Sequence, residues 1–188
     1  MNPGTMYRMR QAEAVVRTVV LMGVSGSGKT SVGRTLSDKL GYVFYDGDDF
    51  HSPSQVEKMS KGKPLNDEDR APWLEVLHDL ITKKSQAGES IVVACSALKK
   101  KYRQILRKGN PGLVFVFLEG DFDLVWSRMR HRSDHFIKPE MLKSQFDALE
   151  IPTNALQVNI DQPVTSITEE IIDLFELENC LDVDYSGK

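Results

Sequence analysis

Two short stretches hold residue types whose spacing could do chemistry. "GVSGSGKT", Gly23 to Thr30, fits the pattern G-x-x-x-x-G-K-[ST] at every fixed position. In that pattern Gly23, Gly26 and Gly28, with Ser25 and Ser27 between them, let successive backbone N–H groups curl around phosphate oxygens. A helix opening near Lys29 aims its positive end at the same anion, with Ser31 in its first turn. Lys29 supplies a mobile cation for the β- and γ-phosphates, and the Thr30 hydroxyl is placed to ligate Mg²⁺. The ligand this predicts is a nucleoside triphosphate with Mg²⁺.

The second stretch is "YDGDDFH", Tyr45 to His51, where Asp46, Asp48 and Asp49 fall within four positions. Like charges this close repel unless cations or water intervene. Asp46 ends a predicted strand, expected beside the first strand, where its carboxylate faces the Mg²⁺ directly or through water. Asp48 could reach past the γ-phosphate to a substrate hydroxyl, as a general base or as a group that orients the hydroxyl. Asp49 or His51 could do the same, so the base is one of three. By itself D-G-D-D is good turn chemistry. Beside a phosphate loop the acids are tolerable, because Mg²⁺, Lys29 and substrate donors share the site. The third predicted strand, within "IVVACSALKK", ends without an Asp, which leaves Asp46 as the nearest metal-side acid.

These residues need a frame. Aliphatic, β-branched runs at 17–23, 42–46, 90–95, 112–120 and 155–160 read as five strands. They lack apolar/polar alternation, so both faces should be covered. Helical spacing appears at 30–40, 72–87, 97–108, 122–130, 139–149 and 166–177. Such alternation predicts a three-layer α/β/α fold: a five-stranded parallel sheet with helices on both faces. In open parallel sheets ligands bind beyond the carboxyl ends of the strands, which is where both stretches lie. Residues 17–178 read as one domain, 1–16 as a disordered lead-in and 179–188 as a tail.

Composition narrows the function classes. The 188 residues carry a formal net charge of −3, with 40% hydrophobic and 27% charged residues, ordinary globular usage. That balance argues against a general nucleic-acid binder. No apolar run approaches the ~18 residues of a membrane span. Cys95 and Cys180 show no metal or redox spacing and fit a reducing compartment. The lead-in has no apolar secretory region, so the expected location is cytoplasmic.

Several further segments converge on one family. "KMSKGKPLNDEDRAPWL", "ACSALKKKYR", "SDHFIKPEMLKSQFDALE" and "NIDQP", together with the two stretches above, make the chain resemble the gluconate kinases of the P-loop small-molecule kinase group. The resemblance runs from about Val19 to Gln162. It implies a fold similar to that of shikimate and nucleoside monophosphate kinases, with a mobile lid at about 128–140. It also implies transfer of phosphate from ATP, with Mg²⁺, to the 6-hydroxyl of D-gluconate, feeding the pentose phosphate pathway, and a homodimer. The same fold can serve another sugar acid or shikimate, or a nucleotide-binding regulator without turnover.

The residues agree with an acid polyol as acceptor. Asp48 suits the 6-hydroxyl. Arg70 can grip a carboxylate bidentately, which Lys cannot; its plainer role is an ion pair with Asp67 or Glu68. Lys99 can meet carboxylate or phosphate, and Ser96 can donate to a hydroxyl. His51 and Lys58 flank the entry loop, and Arg103 is a further candidate contact. Arg128 and Arg132 sit four apart in a basic segment where a lid would neutralise charge on the transferring group. His135 belongs to the same segment, which reads Asp134-His135-Phe136 where the family usually has Gly-His-Phe. Asp161, Gln162 and Pro163 form the loop expected against the adenine. Trp73 and Trp126 read as packing residues.

Overall fold

The computed structural model describes residues 17–130 and 139–184. The expected lead-in, Arg132 and His135 lie outside the described residues. Five parallel strands form one sheet: β1 (Thr18–Met22), β2 (Val43–Asp46), β3 (Ile91–Ala94), β4 (Leu113–Glu119) and β5 (Leu156–Asn159), in the order β2-β3-β1-β4-β5. The helices are α1 (Lys29–Leu40), α2 (Pro53–Ser60), α3 (Asp67–Gln86), α4 (Lys100–Arg107), α5 (Phe122–Arg130), α6 (Pro139–Ala148) and α7 (Val164–Asp184), and a 3₁₀ turn spans Gly47–Phe50.

The strand period of two splits the apolar residues between two cores. Val19 and Leu21 of β1 pack with Val32 and Leu36 of α1 and Ile167 and Ile171 of α7. Val20 and Met22 point the other way, into Trp73, Leu74, Leu77 and Ile81 of α3 and Tyr102 and Leu106 of α4. The central strand is covered on both faces, as its unbroken run of apolar residues requires. The edge strand β2 is not: Val43 is 48% exposed.

One expected neighbourhood is corrected. Strand β2 does not lie beside β1; β3 runs between them, with Ala94 in register with both Leu21 and Asp46. Asp46 nevertheless reaches the phosphate loop, because α1 crosses over β3 to β2. Gly33 permits that crossing: a Cβ there would come within 2.3 Å of the Phe44 ring.

Local signals set the helix boundaries around the site. Helix α3 begins five residues before Pro72, where the sequence pattern starts it. Asn66 and Asp69 form a reciprocal capping box, with Asp67, Glu68 and Asp69 in the first turn and Lys83 and Lys84 in the last, favourable to the helix dipole. Helix α2, absent from the periodic segments, is short and rests on a Ser52/Gln55 capping box with Pro53 following the cap. Helix α7 continues past Leu177 to Asp184, since no Gly or Pro interrupts it.

Candidate active site

The phosphate loop forms a pocket at the end of β1. Gly26 and Gly28 take positive φ, 84° and 94°, a region open to glycine. Thr30 Oγ1 donates to Asp46 Oδ2 at 2.8 Å. The other Asp46 oxygen accepts the Asp48 N–H at 3.2 Å and caps the 3₁₀ turn. The Lys29 ammonium donates to the Gly23 and Val24 carbonyls at 3.0 and 2.9 Å. Burial pulls its pKa down, against the charges of Asp48 and Asp46. Ser25 is held from α6: its N–H donates to Gln145 Oε1 at 2.7 Å, and Gln145 Nε2 donates to Ser25 Oγ at 3.0 Å. A cleft of about 430 Å³ opens beside the loop between Gly26, Gly28, Ser31, Arg128, Met129 and Val164. Arg128 donates to the Ile160 carbonyl at 2.6 Å, just before the Asp161–Pro163 loop. In that loop Gln162 donates to Asn159 O at 2.9 Å and Glu170 Oε2 at 2.6 Å.

Across Asp46 the walls are made of side chains. Asp48 is solvent-facing, its side chain 82% exposed, with His51 Nε2 at 3.7 Å from Oδ1. That distance is longer than a hydrogen bond, and the contact is an ion pair only when the ring is protonated. His51 is fixed from behind. Its ring stacks on Trp73 with centroids 4.4 Å apart, and Nδ1 lies 3.2 Å from Gln55 Oε1. That oxygen also accepts the Ser52 N–H at 2.8 Å, so Nδ1 is the donor to it. Nε2 then carries a proton toward Asp48 only in the cationic ring. His51, followed by Lys29 and Arg70, holds the Asp48 carboxyl below the usual carboxylate range, against partial desolvation. Trp73 Nε1 donates to the Gly47 carbonyl at 2.7 Å, while Gly47 lies so close to β3 that a Cβ would stand 2.4 Å from Ala94 O. The turn presenting Asp48 is thus pinned from both sides.

The acids of "NDEDR" gather the remaining cations. Asp69 pairs with Lys58 at 2.5 Å. Asp67 pairs with Lys99 at 2.9 Å and Lys101 at 2.5 Å, and accepts the Tyr102 hydroxyl. Its carboxyl is pulled far down, first by Lys101, then by Tyr102 and Lys99. Arg70 donates through Nε to Leu65 O at 3.2 Å and lies over the Tyr102 ring at 5.9 Å. The β3–α4 loop joins the two halves: the Ser96 carbonyl accepts the Gly23 N–H at 3.3 Å.

The shikimate kinase family matches residues 25–170. The thermoresistant gluconokinase of Escherichia coli is 45% identical over 161 residues, 84% of this chain and 92% of that protein. A probable gluconokinase of Mus musculus is 43% identical over 175 residues, 82% of this chain and 95% of its own. The chain belongs to the gluconokinase family. The crystal structure of a gluconokinase from Sinorhizobium meliloti superposes with a TM-score of 0.81 at 39% identity, covering 92% of this chain and 98% of that one. The protein is therefore a kinase, with the P-loop fold of its family.

In this gluconokinase-family chain the charged residues expected around Asp48, with Thr30, separate into three groups. Lys29, Thr30, Asp46, Asp48 and His51 come together at one seam, with Arg70 within electrostatic reach of Asp48. Lys58 and Lys99 stand next to it but are engaged by Asp69 and Asp67. Arg103 is placed elsewhere than expected. It is 7% exposed, and its guanidinium donates to the Ala97, Leu98 and Glu150 carbonyls, each at 2.9 Å. That makes it a clamp on the β3–α4 loop, where Ala97 takes a φ of 41°, strained for a residue with a Cβ. Trp73, expected only to pack, also orients His51 and the Gly47 turn. Gln55, Asp67, Asp69 and Gln145 were not among the expected residues. The two capping boxes, Ser52-x-x-Gln55 and Asn66-x-x-Asp69, were the available signals for the first and third.

Proposed function

We propose that this chain transfers the γ-phosphoryl group of ATP to the 6-hydroxyl of D-gluconate, giving 6-phospho-D-gluconate and ADP. The observation that carries the reading is the position of Asp48, between the phosphate-loop Lys29 and the carboxylate-gripping candidate Arg70, in a chain of this family. The phosphate-loop N–H groups and the start of α1 bind the polyphosphate. Lys29, already at the mouth of the loop, turns its ammonium from two carbonyls to the β- and γ-oxygens. Thr30 Oγ1 and Asp46 Oδ2, 2.8 Å apart, are two hard oxygen donors, the set that suits Mg²⁺. When bound there, the ion supplies charge neutralisation to the phosphate oxygens.

Asp48 is ionised at neutral pH and a weak base, because its carboxyl is held low. It accepts a hydrogen bond from the 6-hydroxyl and orients the oxygen in line with phosphorus. It takes the proton as the O–P bond forms, which a loose transition state permits. Arg70, with Lys99 beside it, receives the gluconate carboxylate. Ser96, His51 and Lys58 are placed to meet hydroxyls along the chain. Arg128 lies at the nucleotide cleft, with the Asp161–Pro163 loop beside its Ile160 partner, as adenine-side contacts. We further propose a cytoplasmic homodimer whose product enters the pentose phosphate pathway. Among the described residues no helix is long and apolar enough to cross a membrane.

The test is ADP release from Mg-ATP with gluconate, shikimate, glucuronate and glycerate offered singly. Turnover with gluconate alone is expected. Turnover with shikimate instead would move the acceptor assignment to the wider family that the chain matches. ATP binding without turnover on any acid would overturn the proposal.

A further inference from the structure

Gln145 lies 120 positions from the phosphate loop in sequence, yet its carboxamide makes two hydrogen bonds to one loop residue, Ser25. Helix α5, which precedes residues 131–138, also seats on this loop. A Cβ on Gly26 would come within 2.6 Å of Met129 Cγ and 2.8 Å of its Sδ. The apex of the loop is thus gripped by both helices that flank residues 131–138, through packing on one side and hydrogen bonds on the other.

The chemistry of the pair is directional. Gln145 Oε1 takes the Ser25 N–H, fixing the Val24–Ser25 peptide plane and with it the direction in which the following N–H groups curl. Gln145 Nε2 donates to Ser25 Oγ, so the hydroxyl is used there as an acceptor. Its own proton remains to be donated elsewhere. Only a group with one acceptor and one donor satisfies both contacts. A carboxylate would accept the Ser25 N–H equally well but would draw the hydroxyl proton back toward itself and add a negative charge beside the cradle.

We infer that Gln145 is a positioning residue for nucleotide binding: it turns the Ser25 hydroxyl outward as a hydrogen-bond donor to the terminal phosphate of a nucleoside triphosphate. Gln145 itself touches no substrate; it acts through Ser25, and ties the nucleotide grip to α6. The inference rests on reading the loop as an ATP cradle and is independent of which acid accepts the phosphate.

The test is calorimetric titration of the full chain with ADP and with a non-hydrolysable ATP analogue, without acceptor. Failure of the gluconate assay and failure of this one are therefore separate results. Gln145→Ala should bind the triphosphate analogue about tenfold more weakly, and ADP by a clearly smaller factor. Gln145→Glu, which preserves size and packing, should bind the analogue more weakly still. Ser25→Ala should lose part of the same discrimination, and the double variant should fall short of the product of the single effects. Equal weakening of ADP and analogue in Gln145→Ala would mark a structural role only and overturn the inference. So would unchanged affinity, or a Gln145→Glu variant that binds the analogue as well as the parent. If the alanine variant does not fold, the glutamate variant decides alone.

Discussion

The nucleotide half and the acceptor half of the proposed site are built from different materials. The first is eight consecutive residues, Gly23 to Thr30, shaped by glycine φ values and by the start of α1. The groups it offers to a phosphate are largely backbone N–H groups. The second is assembled from the Gly47–Phe50 turn, α2, the first turn of α3 and the β3–α4 loop, and consists of charged side chains that hold one another. Lys58 is paired with Asp69 and Lys99 with Asp67, whereas Lys29 rests on carbonyls. A cation on a neutral partner is released to an incoming phosphate at small electrostatic cost. A cation on a carboxylate keeps its position and lends only part of its field. The nucleotide half is a fixed cradle with one mobile charge, and the acceptor half a neutralised lattice that selects by geometry.

The strongest way to break this contrast is to remove the mobile charge. Lys29→Ala should lower kcat by about 10²- to 10³-fold, the cost of deleting one transition-state donor in a preorganised site. It should also weaken ATP binding while leaving gluconate binding nearly intact. Steady-state kinetics with both substrates, plus ATP titration, measures each part. A loss confined to gluconate KM would mean that the two halves are not divided at Asp46.

The seam comes next. Asp48→Asn should keep ATP affinity and cost about 10²-fold in kcat. The pH profile sharpens the assignment. The folded-state pKa of Asp48 is depressed, and in the proposed mechanism the ionised form is the active one. Activity that depends on it therefore persists as pH falls past the ordinary carboxylate value near 4 and is lost only below it. His51→Gln removes the largest cause of that depression, so the acid limb should move up in pH. A limb that stays put in His51→Gln would assign the low pKa to Lys29 and Arg70 instead.

The two halves were also unequally legible. The Gly23–Thr30 motif marked its own strand and helix, because a backbone-built loop is encoded by local conformation. Five strands and six of the helices were visible as apolar period. The position of β2 was not, since strand order depends on how α1 crosses the sheet, and the close approach of Gly33 to Phe44 that accompanies the crossing joins residues no local pattern pairs. Asp48 could be proposed from its place beside the phosphate loop and Arg70 from the resemblance and its side-chain chemistry, but their environment could not. The pairing of Lys99, Lys101 and Tyr102 on Asp67 joins residues 32 to 35 positions apart. Arg103 was misplaced for the same reason. An arginine in a basic run looks like a ligand for anions until the fold shows three carbonyls waiting for it around the strained Ala97.

The smallest expected effect probes the lattice itself. Asp67→Asn leaves the shape of the cluster and removes the charge that Lys99 and Lys101 share. Because these pairs are largely solvated, stability should change by no more than a few degrees in Tm. The sign is fixed by linkage. The folded-state carboxyl is depressed below its unfolded value, so its stabilising contribution is complete above about pH 4 and fades as pH falls toward the folded-state value. The Tm difference between parent and variant should therefore be largest near neutrality, begin to shrink below about pH 5 and go on shrinking well below about pH 3. Turnover should change far less than in Lys29→Ala, through gluconate KM rather than kcat, because Lys99 loses the partner that sets its position but keeps its charge. A kcat loss as large as that of Asp48→Asn would show instead that Asp67 stands in the reacting half, and the division drawn here would have to be moved.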